Sequence, residues 1–189
     1  MQAAALELFA EQGFERTTVA DIAASAGVTR RTFARHFADK RDVLFSGSVP
    51  VLPENALVGE IARADGDLGP LQVIASAIAN YEWDALGSRS LHRKRHDVIA
   101  AIPELTEREL LKYESIALAF VGALRRRGVD AVGARLAAHV GIAVFRSAYD
   151  RWLDAPADTG MSEIVEDVVA RLRAATAPDA GGRFLPAPG

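Results

Sequence analysis

Between Thr29 and Arg41 the chain carries five cations, Arg30, Arg31, Arg35, Lys40 and Arg41, against one carboxylate, Asp39, with His36 among them. A guanidinium presents two parallel N–H bonds that match the acceptor pair on the major-groove edge of guanine. An ammonium or a threonine hydroxyl instead holds a phosphate oxygen, and Lys40 and Thr18 are placed for that role. The absence of cysteine excludes a disulfide framework, Cys-ligated zinc, an iron–sulfur cluster and a thiol nucleophile. There is no glycine-rich phosphate loop, catalytic serine motif or zinc-hydrolase motif. His92 and His96 have a spacing that can bind a metal, but Arg93, Lys94 and Arg95 lie between them and no third ligand follows. A solvated basic face is expected there. Neither a metal nor a cofactor is expected, and the chain does not read as an enzyme.

The elements that must position these residues are helical. Alanine, leucine, arginine and glutamate dominate, and long β-branched alternations are missing. A first helix spans about residues 2–12 with Leu6, Phe9 and Ala10 on one face, and Gly13 follows it. Thr18 is a candidate N-cap with Asp21 three residues on. Val19, Ile22, Ala23 and Ala26 then recur at helical spacing, and Gly27 ends the second helix. Thr29 caps a third helix to about Phe37, with Phe33 and Phe37 on one side. This is a helix-turn-helix: Ala23 is small where the helices cross, Gly27 tolerates the turn, and Ile22, Val28 and Phe33 make the small core. The outward side of the third helix then carries Arg30, Arg31, Thr32, Arg35 and His36, which fits a major groove. Asp39 caps a fourth helix from Lys40.

Composition sets the outer bounds. The 189 residues are 50% apolar and contain 22 Lys+Arg and 25 Asp+Glu, a formal net charge of −3. That excludes a chain disordered throughout and one coated in positive charge, so a nucleic-acid surface has to be local. Residues 1–47 hold six basic and six acidic side chains, and the acids Glu7, Glu11, Glu15 and Asp21 precede the basic stretch. No apolar run is long enough to span a membrane and no signal segment opens the chain, so a cytoplasmic location is expected.

Downstream, Pro50 and Pro53 interrupt or end the fourth helix, and residues 64–70 read as a loop. Further helices are expected at about residues 71–86, 89–102, 103–127, 130–154 and 161–175. Arg125, Arg126 and Arg127 fall at a helix end, where cations complement the dipole. Residues 1–47 are expected to form the helix-turn-helix domain and 48–176 a larger helical domain. Residues 177–189, with three prolines and three glycines, are expected to be a disordered tail.

The run Glu-Leu-Phe-Ala-Glu-Gln-Gly-Phe, then Thr-Thr-Val-Ala-Asp-Ile-Ala-Ala-Ser-Ala-Gly-Val-Thr, then Thr-Phe-Ala-Arg-His-Phe-Ala-Asp-Lys resembles the TetR family of bacterial repressors over nearly all of residues 2–45. The resemblance implies an all-α protein and a homodimer. It implies an N-terminal three-helix DNA-binding domain followed by a larger effector-binding and dimerisation domain. In that family the positions matching Thr18, Arg30, Arg31, Thr32, His36 and Lys40 face double-stranded DNA. Two departures stand out. Ala34 replaces a tyrosine common in the family, and Met1 lies in the first turn of the first helix, so contacts from a basic arm are not assumed.

A weaker resemblance points to the subgroup with an acyl-CoA-like ligand-binding domain. It is carried by Arg-Arg-Thr-Phe with Asp-Val-Leu-Phe, by Ile-Ala-Ala-Ile-Pro-Glu-Leu-Thr-Glu-Arg at 99–108 and by Tyr-Asp-Arg-Trp-Leu at 149–153. An apolar effector would meet aromatic side chains, for which Tyr81, Tyr113 and Phe120 are candidates. The helices near 130–154 and 161–175 are expected to form the homodimer. Ala134, Ala137, Ala138, Gly141 and Ala148 would allow close approach, with Ile164, Val165, Val168, Val169 and Leu172 beside them. The alternative reading is a helical adaptor or acyl-binding protein without DNA binding.

Overall fold

The computed structural model describes residues 1–45 and 53–177. Among them are ten α-helices and one 3-10 turn, with no strand. They are α1 (Gln2–Gln12), α2 (Val19–Ser25), α3 (Arg30–His36), α4 (Asp42–Phe45), α5 (Glu54–Arg63), α6 (Pro70–Ala79), the 3-10 turn Trp83–Leu86, α7 (Arg89–Ala100), α8 (Pro103–Arg126), α9 (Ala131–Asp154) and α10 (Met161–Ala175). Residues 46–52, where one domain was expected to give way to the next, and the tail from 178 lie outside the described residues. No helix among the described residues is long and apolar enough to cross a membrane.

The chain divides into two compact units. The first comprises Met1–Val58 and Glu82–Ala119, so the N-terminal helices share their unit with α7 and most of α8. One apolar cluster explains this. Leu6, Phe9, Ile22, Phe33, Val43 and Leu44 from α1 to α4 are buried together with Val98, Ile99 and Leu105. Forty-odd residues alone bury too little apolar surface for much stability, and α7 supplies the missing wall to α1.

The second unit comprises Gly59–Tyr81 and Phe120–Gly189, and in it α6, α9 and α10 pack against one another. Here the structure corrects the reading of the small residues on α9. Ala134, Ala138 and Ala148 are fully buried within the protomer, and Ala137 and Gly141 are buried too. Of these, Gly141 makes room for α6. A β-carbon on Gly141 would lie 2.7 Å from Ile74 Cγ2. Alanine there sets a helix-propensity gain of about 1 kcal/mol against this overlap. Gly141→Val adds branches and keeps only the overlap, so it is expected to lower the unfolding free energy by about 1–3 kcal/mol in urea titrations.

Two further boundaries differ from the sequence reading. The helix expected to run to residue 86 stops at Ala79, where the Asn80 amide bonds back to Ser76 O, and a 3-10 turn follows. Between the prolines and the loop at 64–70 stands α5, whose Leu57 and Ile61 are both fully buried. Arg127 serves α5 rather than its own helix. Its Nη1 donates to Ile61 O and Ala64 O at 3.2 and 2.6 Å, and Nη2 donates to Asp65 O at 2.7 Å.

Candidate nucleic-acid interface

The interface begins at the start of α2. The Thr18 hydroxyl accepts the Asp21 amide at 3.2 Å, and the Thr18 amide donates to Asp21 Oδ2 at 2.8 Å, closing a capping box. The Thr18 hydroxyl also donates to Asp21 Oδ2 at 2.7 Å. These bonds hold the Asp21 carboxyl below the usual carboxylate range, led by the Thr18 side chain, with Arg30 adding a smaller push downward. The turn to α3 passes through Gly27 at φ +66°, a left-handed value that a residue with a β-carbon adopts only at a cost.

Thr29 caps α3 by accepting the Thr32 amide at 3.1 Å, and the two hydroxyls meet at 2.9 Å. Phe33 points into the core at 1% exposure, and its ring lies 5.2 Å from that of Phe37. With that side buried, Arg30, Arg31, Ala34, Arg35 and His36 are exposed and Thr32 half-exposed. The structure therefore brings Thr18, Thr29, Arg30, Arg31, Thr32, Arg35 and His36 onto α3 and the cap of α2, within one unit. Arg41, the last cation of the basic stretch, is exposed as well. Its position in the basic stretch was the signal.

Lys40 has another task. Its Nζ donates to Phe14 O at 2.7 Å, Thr17 O at 3.1 Å and Glu15 O at 3.2 Å, and sits 4.4 Å from the centre of the Phe14 ring. An ammonium has three N–H bonds, and all three are taken. The expectation that Lys40 holds phosphate gives way to a role in tying the loop between α1 and α2. Lys40→Met is expected to cost about 1–3 kcal/mol in unfolding free energy, by leaving three carbonyls without that donor, and to leave the salt dependence of DNA binding unchanged. Arg41→Ala is expected to do the reverse, which paired denaturation and binding titrations would read.

Tyr81 lies past the end of α6 and is half-exposed. Tyr113, at 7% exposure, belongs to the first unit, and the fully buried Phe120 to the second. His92, expected on a solvated face, is fully buried, while His96 is half-buried. Burial, with Arg95 adding to it, pushes the His92 imidazole down to about 4.

Arg95, one turn along α7, is 1% exposed. It donates from Nε to Leu44 O at 2.6 Å and from Nη1 to Glu109 Oε1 at 2.9 Å. Arg108 pairs with Asp42, and this bond holds the Asp42 carboxyl low. Gln2 Nε2 donates to Val43 O at 3.0 Å. The guanidinium carbons of Arg108 and Arg95 lie 4.8 and 5.6 Å from the Phe45 ring centre. Every residue of the four-residue α4 is thus gripped from outside it. Sequence reading missed this anchorage, because a lone arginine in a basic run carries no sign of burial.

On α9 and α10 of the second unit, a cleft of about 580 Å³ is lined by Val140, Ala143, Ser147, Val168 and Leu172, with Arg151 and Arg171 at its edge. Both arginines bond to Asp167, Arg171 Nε at 2.7 Å. Val132 and Leu136, on the turns of α9 before this cleft, are 77% and 64% exposed.

Residues 3–46 match the family described as bacterial regulatory proteins, tetR family. Residues 68–177 match the MftR C-terminal domain. The chain is 30% identical over 154 residues to the putative mycofactocin biosynthesis transcriptional regulator MftR of Mycobacterium tuberculosis, spanning 79% of this chain and 76% of that protein. It is 27% identical over 188 residues to the HTH-type transcriptional repressor BepR of Brucella suis, with 90% and 89% covered. The fold resembles that of SmeT, the repressor of the Stenotrophomonas maltophilia multidrug efflux pump SmeDEF, at a TM-score of 0.56 and 21% identity, over 100% of this chain and 94% of that one.

Proposed function

The chain belongs to the TetR family of bacterial regulatory proteins, which are transcriptional regulators and not enzymes, and from that premise we propose a ligand-responsive repressor. It binds a palindromic operator as a homodimer and leaves it when a small apolar effector, such as an acyl-CoA, is bound. The observation that carries the DNA-binding part is the outer face of α3, where Arg30, Arg31 and Arg35 stand exposed on a helix whose other side is fixed in the core. Local positive charge on an otherwise acidic chain is what such an interface requires.

The apolar row of exposed Val132, Leu136 and Ala143 with half-buried Val140, continued by half-buried Leu172 of α10, supports the homodimer. This replaces the inward-facing alanines as the contact surface. A two-fold dimer presents two copies of α3 to half-sites about 34–36 Å apart, or somewhat further. Effector binding favours a conformation with another spacing and so releases DNA. The effector is assigned to the aromatic side chains Tyr81, Tyr113 and Phe120 on the sequence reading alone.

Selection of bound sequences from a random duplex pool, with and without a long-chain acyl-CoA, tests the proposal. A palindrome that disappears with the ligand is expected. A palindrome indifferent to acyl-CoA removes that effector and keeps the repressor. No enrichment by a folded dimer overturns the repressor and leaves the adaptor reading. Operator affinity is also expected to fall steeply as salt rises, through counterion release.

A further inference from the structure

The geometry of α3 assigns the reading of bases to two side chains, Arg31 and Arg35, and we propose that each operator half-site carries two G·C pairs whose guanines they contact. This rests on the DNA-binding reading above and goes beyond it to the chemistry of the sequence recognised.

At about 100° per residue, Arg31 and Arg35 both stand about 160° around α3 from Phe33, the residue at the core. They are the pair aimed straight away from the domain. Among the described residues neither meets a carboxylate, so both enter a groove without first breaking an ion pair. The flanking positions are committed differently. Arg30 stands only about 60° from Phe33. It lies on the side of α2, where its charge acts on Asp21, and this placement suits a phosphate at the groove edge. The Thr32 hydroxyl is engaged by Thr29 at the helix start. Ala34, exposed to one side of the two arginines, offers a methyl group and no hydrogen bond.

An arginine meets guanine through both N7 and O6, the most frequent specific contact in the major groove. Arg31 and Arg35 are four residues apart, about 6 Å along the helix axis. That is close to two base steps of about 3.4 Å. The two G·C pairs are therefore expected about two steps apart, repeated in inverted order in the other half-site.

The test uses the full chain and the sequence recovered by selection. Arg31→Ala is expected to relax the selected base at one position of each half-site, and Arg35→Ala at a second position about two steps away. Arg30→Ala is expected to weaken all duplexes alike. Replacing the guanine at either position with 7-deazaguanine removes the N7 acceptor and keeps base pairing. Each replacement is expected to lower affinity about tenfold or more. The same duplex is then expected to show little further loss with the matching alanine variant. Circular dichroism and sedimentation confirm that each variant is folded and of unchanged size. A palindrome whose half-sites hold only A·T pairs, or 7-deazaguanine without effect, overturns this inference and leaves the repressor standing. Failure to select any sequence overturns the repressor reading, and this inference with it.

Discussion

Glu109→Ala is expected to lower the stability of the first unit by about 3 kcal/mol, while Arg95→Met in the same background restores much of it. Arg95 is almost fully buried, and Glu109 is its only carboxylate partner among the described residues. Removing the glutamate leaves a guanidinium without its counter-charge in a site from which water is excluded. An arginine does not escape by losing its proton. Replacing it as well with an apolar side chain of similar length removes the stranded charge and keeps the packing. The double variant is then left with one defect, the Leu44 carbonyl that Arg95 Nε served at 2.6 Å. Urea titrations of the four proteins give the coupling energy directly. Additive losses would show that the pair contributes nothing as a pair.

The effect is expected to concentrate in α4. Four residues cannot sustain a helix by their own hydrogen bonds, because nucleation consumes most of what so short a segment gains. Asp42, Val43, Leu44 and Phe45 hold their shape through Arg108, Gln2, Arg95 and the two guanidinium groups beside the ring. Amide exchange of α4 should therefore accelerate in Glu109→Ala more than exchange in α2 or α3.

How much of this was legible depends on how far each signal travels along the chain. The helix-turn-helix was written locally: Thr18 and Asp21, Gly27, Thr29, and the Ile22 and Phe33 core positions all act within a few residues. The structure shows each in the place its spacing implied. Lys40 was misread because its partners, Phe14, Glu15 and Thr17, lie more than twenty positions earlier, and nothing in a basic run separates a cation that faces solvent from one turned onto carbonyls. The small residues of α9 do signal close approach of a helix. Their type could not say whether that helix was α6 of the same chain or a second copy. In α5, Leu57 and Ile61 stand one turn apart in a short stretch between Pro53 and a glycine- and aspartate-rich loop, and a ten-residue run flanked by breakers carries little sign of a helix.

His92 gives the first unit an acid sensitivity with a defined window. Its imidazole, ordinarily near 6.5, is held near 4 in the folded chain, first by burial and then by Arg95. The unfolded chain therefore takes up the proton first as pH falls. The associated stability is complete above about 6.5, declines as pH drops toward 4, and has no further slope below that. Between pH 7.5 and 5 the loss is expected to be about 2 kcal/mol. Carboxyls with lowered values act elsewhere on the scale. Asp21, Asp42, Asp130 and Asp167 keep their contribution above the ordinary value of 3.8 and lose it only as pH falls further, so they do not blur the window. Urea titrations at pH 7.5 and 5 should show most of this loss in the parent chain and little of it in His92→Gln, which cannot take a proton. An equal loss in both would assign the slope to other groups. His92 and Arg95 stand close on one face of α7, so an imidazolium there adds a second charge beside a guanidinium that has one carboxylate to share. Acid and Glu109→Ala therefore strain the same anchorage, and at pH 5 the two together are expected to loosen α4 more than the sum of their separate effects.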